Sequence, residues 1–235
     1  MTQGIVIALT PQELRALLTI ARDENYQFYI LLLISVCHGL RVSEAIALTR
    51  SNFSTASNGT YLAVQRLKGS RATNQLLIST GDALMNEQGV VTEYIDGLKP
   101  GELLFRYENG KQFKRFHINY LMRCFGKRAG VPRHKWFPHV AKHTAGALMR
   151  QTGSGIEDIA DHLGHKNINN ARVYAGNTDE IVHAAATKAF AFAAGQGMGS
   201  DVSLDQIPTS FGRTHPFARE SSLAGRRNEL CDVEI

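Results

Sequence analysis

Apolar residues recur at helical spacing through most of this chain and at strand spacing in one stretch. Leu14, Leu17, Leu18 and Ala21 fall at i, i+3, i+4 and i+7, lining one face of a helix. Ahead of them, Thr10-Pro11-Gln12-Glu13 reads as a capping box with proline at the first helical position. The segment from about Asn25 to Cys37 is apolar all round, which marks a central helix. Gly39 breaks it, and Arg41 to Leu48 predicts a short helix. Tyr61–Leu67 and Gln75–Ile78 read as short strands of a hairpin whose polar tip is Lys68-Gly69-Ser70-Arg71-Ala72-Thr73-Asn74. Helical spacing returns over Asp82–Leu98 and ends at Pro100-Gly101, and Leu103-Leu104-Phe105 is expected as a small strand. Further helices are expected over Lys114–Ala129, His139–Thr152, Gly155–Leu163 and Thr178–Ala194. The pattern predicts a mainly α fold with a small antiparallel β-sheet (α+β). Scattered glycine, serine and mixed charge beyond Gly195 predict a flexible C-terminal tail over 197–235.

Composition narrows the class. The chain has 235 residues, 43% hydrophobic and 20% charged, which excludes collagen-like, disulfide-scaffold and wholly disordered proteins. Its longest apolar run, Phe28 to Cys37, is ten residues with one serine inside. A bilayer span needs roughly 20, so no membrane association is expected. The start, Met1-Thr2-Gln3-Gly4-Ile5, has no secretory pattern, and Cys37, Cys124 and Cys231 are an odd, widely spaced set. Free thiols in a reducing cytoplasm fit best.

Charge supplies the first positive clue. Lys and Arg outnumber Asp and Glu by 26 to 21, and the stretch Arg106–Arg150 holds eleven basic residues against one acid, Glu108. Such a block suits a polyanion, because phosphate neutralisation releases condensed counterions. Lys111, Lys114, Arg115, Arg123 and Lys127 are the candidate groove or phosphate contacts, together with Arg71 at the hairpin tip.

Four short strings carry the candidate chemistry: His38-Gly39-Leu40-Arg41-Val42-Ser43-Glu44-Ala45, Lys68-Gly69-Ser70-Arg71, Pro138-His139-Val140-Ala141-Lys142-His143-Thr144, and Leu163-Gly164-His165 with Tyr174 nine residues on. Taken singly, each has a plain structural reading. Arg41 can pair with Glu44 on a helix surface, Lys68 can solubilise a turn, His165 can cap a helix and Tyr174 can fill a core. His139 and His143 share a helix face, but no H-E-x-x-H or third ligand accompanies them, so no metal is expected.

In combination and in this order, the strings resemble the tyrosine recombinase (phage integrase) family across Leu9 to Ala194. Gly39-Leu40-Arg41-Val42-Ser43-Glu44 matches its first-arginine box, G-L-R-x-S-E, and Lys68 falls at its hairpin lysine. His139-Val140-Ala141-Lys142-His143-Thr144 stands where the family has H-x-x-R-H-T, and Leu163-Gly164-His165 with Tyr174 matches its L-G-H box and nucleophile. The resemblance implies DNA strand breakage by a tyrosine oxygen, through a 3′-phosphotyrosyl link and a free 5′-hydroxyl, without metal, ATP or other cofactor. Arg41, Lys142 and His165 would hold the phosphate, Lys68 (or its rival Arg71) would protonate the leaving oxygen, and His139 would take the proton from Tyr174. Glu44 would orient Arg41 or a neighbouring histidine, and His143 would support from behind.

Lys142 departs from the family's arginine: its charge persists, but the bidentate fork is lost. An active natural variant is expected, in which Lys142→Arg leaves activity equal or higher. Resemblance further implies a tetramer on duplex DNA exchanging the Thr178–Ala194 helix. It implies a catalytic domain over 1–196, with the family's N-terminal DNA-clamping domain absent, and a cytoplasmic protein working at the nucleoid. A catalytically weakened DNA-binding regulator and a type IB topoisomerase-like relaxing enzyme remain the alternatives.

Overall fold

The computed structural model of the protein describes residues 6–174. The helix expected at 178–194, the tail at 197–235 and the domain limit at 196 lie outside the described residues. Helix α1 (Pro11–Glu24) begins on the capping box: Thr10 Oγ1 accepts the Glu13 N–H at 3.1 Å, and Glu13 Oε2 accepts the Thr10 N–H at 2.7 Å. Asn25 ends α1 and caps α2 (Tyr26–Cys37), its side chain accepting the Phe28 N–H at 2.9 Å. Every residue from Phe28 to Val36 is buried, so α2 is the axis of the fold, touching α1, α4 (Glu87–Asp96) and α6 (Val140–Gln151). Between α2 and α4 come α3 (Val42–Ala45) and the strands β1 (Phe53–Ala56), β2 (Gly59–Val64) and β3 (Thr73–Leu76). Helices α5 (Arg115–Arg128), α6 and α7 (Ile156–His162) complete the order.

The sheet is antiparallel in the order β1-β2-β3, with Phe53 opposite Leu62 and Tyr61 opposite Leu76. The hairpin is therefore present with a third strand added. β1 has the sequence Phe-Ser-Thr-Ala and buries Phe53 alone, so it shows no apolar alternation. The 103–105 stretch makes only an isolated bridge, Thr49 to Leu103. The helix expected over 82–98 starts later, at Glu87. Asp82 Oδ1 accepts the N–H groups of Leu84 (2.8 Å) and Met85 (3.2 Å), fixing a turn before Asn86 caps the helix.

Two apolar clusters result. The larger surrounds α2, and the smaller joins Ala145, Ile159, Ala160, Leu163, Ala171 and Tyr174 from α6, α7 and the turns beyond. Lys142 lies on the seam between them, on α6 between Ala141 of the larger cluster and Ala145 of the smaller. Among the described residues, no helix is long and apolar enough to cross a membrane.

Candidate active site

Arg41 caps α3, directly after Gly39 turns the chain out of α2. Gly39 has φ +58°, and a Cβ there would lie 2.1 Å from the Leu163 side chain, so only glycine lets this loop approach the Leu163-Gly164-His165 turn. The Arg41 guanidinium donates through one terminal nitrogen to Glu44 Oε1 (2.7 Å) and the Leu67 carbonyl (3.0 Å), and through the other to Ser70 Oγ (3.1 Å). Among the described residues three of its five N–H groups are used, which leaves the Nε–H and one terminal N–H.

Glu44, fully buried, is the anchor. Its carboxylate accepts the Arg41 and Leu67 backbone N–H groups at 2.8 and 2.9 Å, and both the Arg41 and Arg66 side chains. Burial pushes its pKa up, but these hydrogen bonds outweigh that and hold it below the ordinary carboxylate value. The hairpin tip is thus docked on the Arg41–Glu44 pair. Lys68 sits exposed at its apex with φ +56°, a left-handed conformation unusual for a residue with a Cβ.

Lys142 projects from α6 and is 3% exposed. Its Nζ donates to the carbonyls of Gly39 and Leu163, both at 3.0 Å. Two of the ammonium's three N–H groups are thereby committed to the two loops it joins. Burial, then the charges of Arg66 and Arg41, brings its pKa down to about 7.

The remaining histidines divide. His165 is buried, its Nδ1 without a hydrogen-bond partner among the described residues, and burial, followed by the charges of Lys142, Arg41 and Arg66, lowers its pKa to about 4. His139 lies at the solvent side, its ring edge-on to His143 at 4.7 Å. Lost hydration, then His143, Lys142, Arg41 and Lys68, lowers its pKa to about 4. These couplings place residues from all of the first three strings within electrostatic reach of one imidazole.

Tyr174 packs its ring on Gly146 of α6, and its hydroxyl lies 3.3 Å from His143 Nδ1. The base expected was His139, but the ring in hydrogen-bond range is His143. Burial pushes the phenol pKa up to about 12. Among the described residues, that hydroxyl makes no hydrogen bond to Arg41, Lys68, His139, Lys142 or His165.

The candidate DNA contacts are all exposed. Lys114, Arg115, Arg123 and Lys127 lie at or on α5, where Lys114 Nζ sits 5.9 Å from the Phe116 ring centre. Lys111 is in the preceding turn, and Arg71 pairs with Asp161 at 3.3 Å. Two site residues escaped the motif reading, Arg66 and Ser70. Ser70 lies in the hairpin string itself, whereas nothing local singles out Arg66. Among the described residues, no group of three or more His, Cys, Asp or Glu side chains is placed to hold a metal.

Comparison with known proteins identifies the family and the fold. The profile of the phage integrase family matches residues 8–180. The type 1 fimbriae regulatory protein FimB of Escherichia coli K12 is 29% identical over 163 residues, 68% of this chain and 79% of that protein. The tyrosine recombinase XerA of Thermococcus onnurineus is 25% identical over 185 residues, 77% of this chain and 62% of that one. The crystal structure of the XerH site-specific recombinase bound to its difH substrate superimposes with a TM-score of 0.62 at 19% identity, covering 80% of this chain and 56% of that one. The chain therefore spans less than two thirds of both recombinases. By its family profile over most of its length and by its fold, the chain belongs to the phage integrase family of tyrosine recombinases and carries their catalytic-domain fold.

Proposed function

We propose that the protein is a site-specific recombinase that cuts and rejoins duplex DNA through a 3′-phosphotyrosyl intermediate at Tyr174. The observation that supports this best is the gathering of Arg41, Lys68, His139, Lys142 and His165 from segments far apart in sequence. XerH, which shares the fold, is bound to DNA in its crystal structure. The catalytic unit is residues 1–196, and the working form is a tetramer on two duplexes that exchanges the 178–194 segment.

The residues divide the work as follows. Attack of the Tyr174 oxygen on phosphorus forms the phosphotyrosyl bond and breaks the bond to the 5′-oxygen. Negative charge on the non-bridging oxygens is met by the two free N–H groups of Arg41 and by His165. At neutral pH His165 is uncharged and offers one N–H. Lys142, with a pKa of about 7 and so part-charged near neutrality, holds the 39–41 loop to the 163–165 turn. Lys68, on the exposed tip, delivers a proton to the leaving 5′-oxygen. The phenol must lose its proton against a pKa of about 12, and His143, with His139 beside it, receives it. Tyr174 leaves its seat on Gly146 to reach the phosphate. Lys111, Lys114, Arg115, Arg123, Lys127 and Arg71 contact the DNA backbone and position the duplex.

A second reading follows from the relative named a regulatory protein: a DNA-binding regulator in which buried Lys142 leaves catalysis weak. Duplexes nicked near the scissile position, made from the DNA flanking the protein's own gene, separate the two. A recombinase yields an adduct that survives denaturant and disappears in Tyr174→Phe. A regulator binds the same duplexes and yields none.

A further inference from the structure

Arg66, at the end of the β2 arm, has a side chain with no solvent exposure. Its guanidinium reaches into four segments. Nε donates to Thr73 Oγ1 (3.0 Å), one terminal nitrogen to the Gly39 carbonyl (3.1 Å) and Glu44 Oε2 (3.4 Å), and the other to the His38 carbonyl (2.7 Å), the His162 carbonyl (3.4 Å) and Gln75 Oε1 (3.5 Å). These acceptors saturate it, so it has no N–H to offer a phosphate. Three of them, the carbonyls of His38, Gly39 and His162, belong to the two pieces of backbone that carry the phosphate ligands: the 38–41 loop with Arg41, and the end of α7 leading to His165. The Gly39 carbonyl takes a second donor, Lys142 Nζ, which ties the same loop to Leu163.

We propose that Arg66 is a positioning residue of the phosphate site. Through Glu44 and the carbonyls of His38, Gly39 and His162, it fixes the separation and orientation of Arg41 and His165. The proposal rests on the reading of those two as phosphate ligands. A planar fork suits the task because it satisfies acceptors on several sides at once in fixed directions, which an ammonium cannot. Displacement of a ligand by about 1 Å costs about 100-fold in rate, so a buried clamp of this kind acts on the chemical step without touching DNA.

The test uses the full chain and nicked duplexes of the DNA flanking its own gene, with single-turnover adduct formation and duplex affinity measured for Arg66→Lys and Arg66→Met. Arg66→Met should slow adduct formation by about 100-fold and Arg66→Lys by about 10-fold, since lysine restores the charge but not the fork. Duplex affinity should change by less than about threefold in both, because Arg66 meets no phosphate. Should Arg66→Met fail to fold, the Arg66→Lys rate and affinity decide. Wild-type rates in the variant would overturn the proposal and leave the recombinase reading standing. Absence of any wild-type adduct would instead overturn that reading. The clamp is then judged by crystal structures of the wild type and Arg66→Lys: a changed separation of the Arg41 and His165 side chains supports the clamp, and an unchanged one overturns it.

Discussion

The seat of Tyr174 on Gly146 can be probed by adding one methyl group. A Cβ at position 146 would lie 2.6, 2.7 and 2.9 Å from ring atoms of Tyr174. Ordinary carbon contacts are about 3.5–4.0 Å, so in Gly146→Ala the ring must retreat by about 1 Å. Helix α6 cannot give way, because Ala141, Thr144 and Ala145 are packed on its inner side. Ejecting the ring forfeits burial worth about 1.5–3 kcal/mol and the hydrogen bond to His143, worth about 0.5–1.5 kcal/mol. Alanine returns about 1 kcal/mol through helix propensity, leaving a net loss of about 1–3.5 kcal/mol. Urea unfolding measures this, and a double-mutant cycle isolates it. In a Tyr174→Ala background the same change should be neutral or stabilising by up to about 1 kcal/mol. The phenol should also titrate lower in Gly146→Ala, moving from about 12 toward the ordinary value of 10, as followed by NMR of 13Cζ-labelled tyrosine. Equal cost in both backgrounds, with an unmoved phenol, would refute the packing argument.

Other expectations follow from the same contacts. Glu44→Gln leaves Arg41 and Arg66 without their buried counter-charge and should lower stability by about 3–5 kcal/mol at neutral pH. Because the folded Glu44 pKa lies below its ordinary value, its contribution is complete above the carboxylate range and is lost as pH falls through the lowered value. The gap between wild type and variant in urea should therefore close in acid. Lys142 has the opposite consequence: its folded pKa is about 7 against an ordinary 10.5, so the folded chain holds fewer protons between those values and stability rises with pH across that window. Lys142→Met should flatten the rise in calorimetry, and Lys142→Arg should form adduct at least as fast as wild type. Lys68→Gly removes a left-handed lysine, relieving about 1 kcal/mol of strain that glycine's greater unfolded-state freedom offsets. Its melting temperature should hold while adduct formation falls.

Local chemistry made the helices readable. Thr10 and Glu13 announce α1 because both partners of the cap lie three residues apart, and the apolar run after Asn25 admits only a buried helix. β1 escaped notice because Phe53-Ser54-Thr55-Ala56 buries one side chain and owes its strand form to pairing with β2. Asp82 and Asn86 are both good cap residues, and only the surrounding fold decides that Asn86 starts α4. The motif residues Arg41, Lys68, His139, Lys142 and His165 were visible in the strings. Arg66 was not, since its partners lie as far off as His162. Nor was the inward turn of Lys142, which depends on carbonyls of two distant loops. The same holds for the pairing of Tyr174 with His143, set by the approach of the final turns to α6.

The most direct test is to find which residue becomes joined to DNA. Wild-type protein is incubated with the nicked flanking duplexes, digested with nuclease and trypsin, and the modified peptide is sequenced by mass spectrometry. The account predicts a nucleotide phosphate on Tyr174 and no modified peptide from Tyr174→Phe. A nucleotide on any other side chain, or an adduct that persists in Tyr174→Phe, would contradict it.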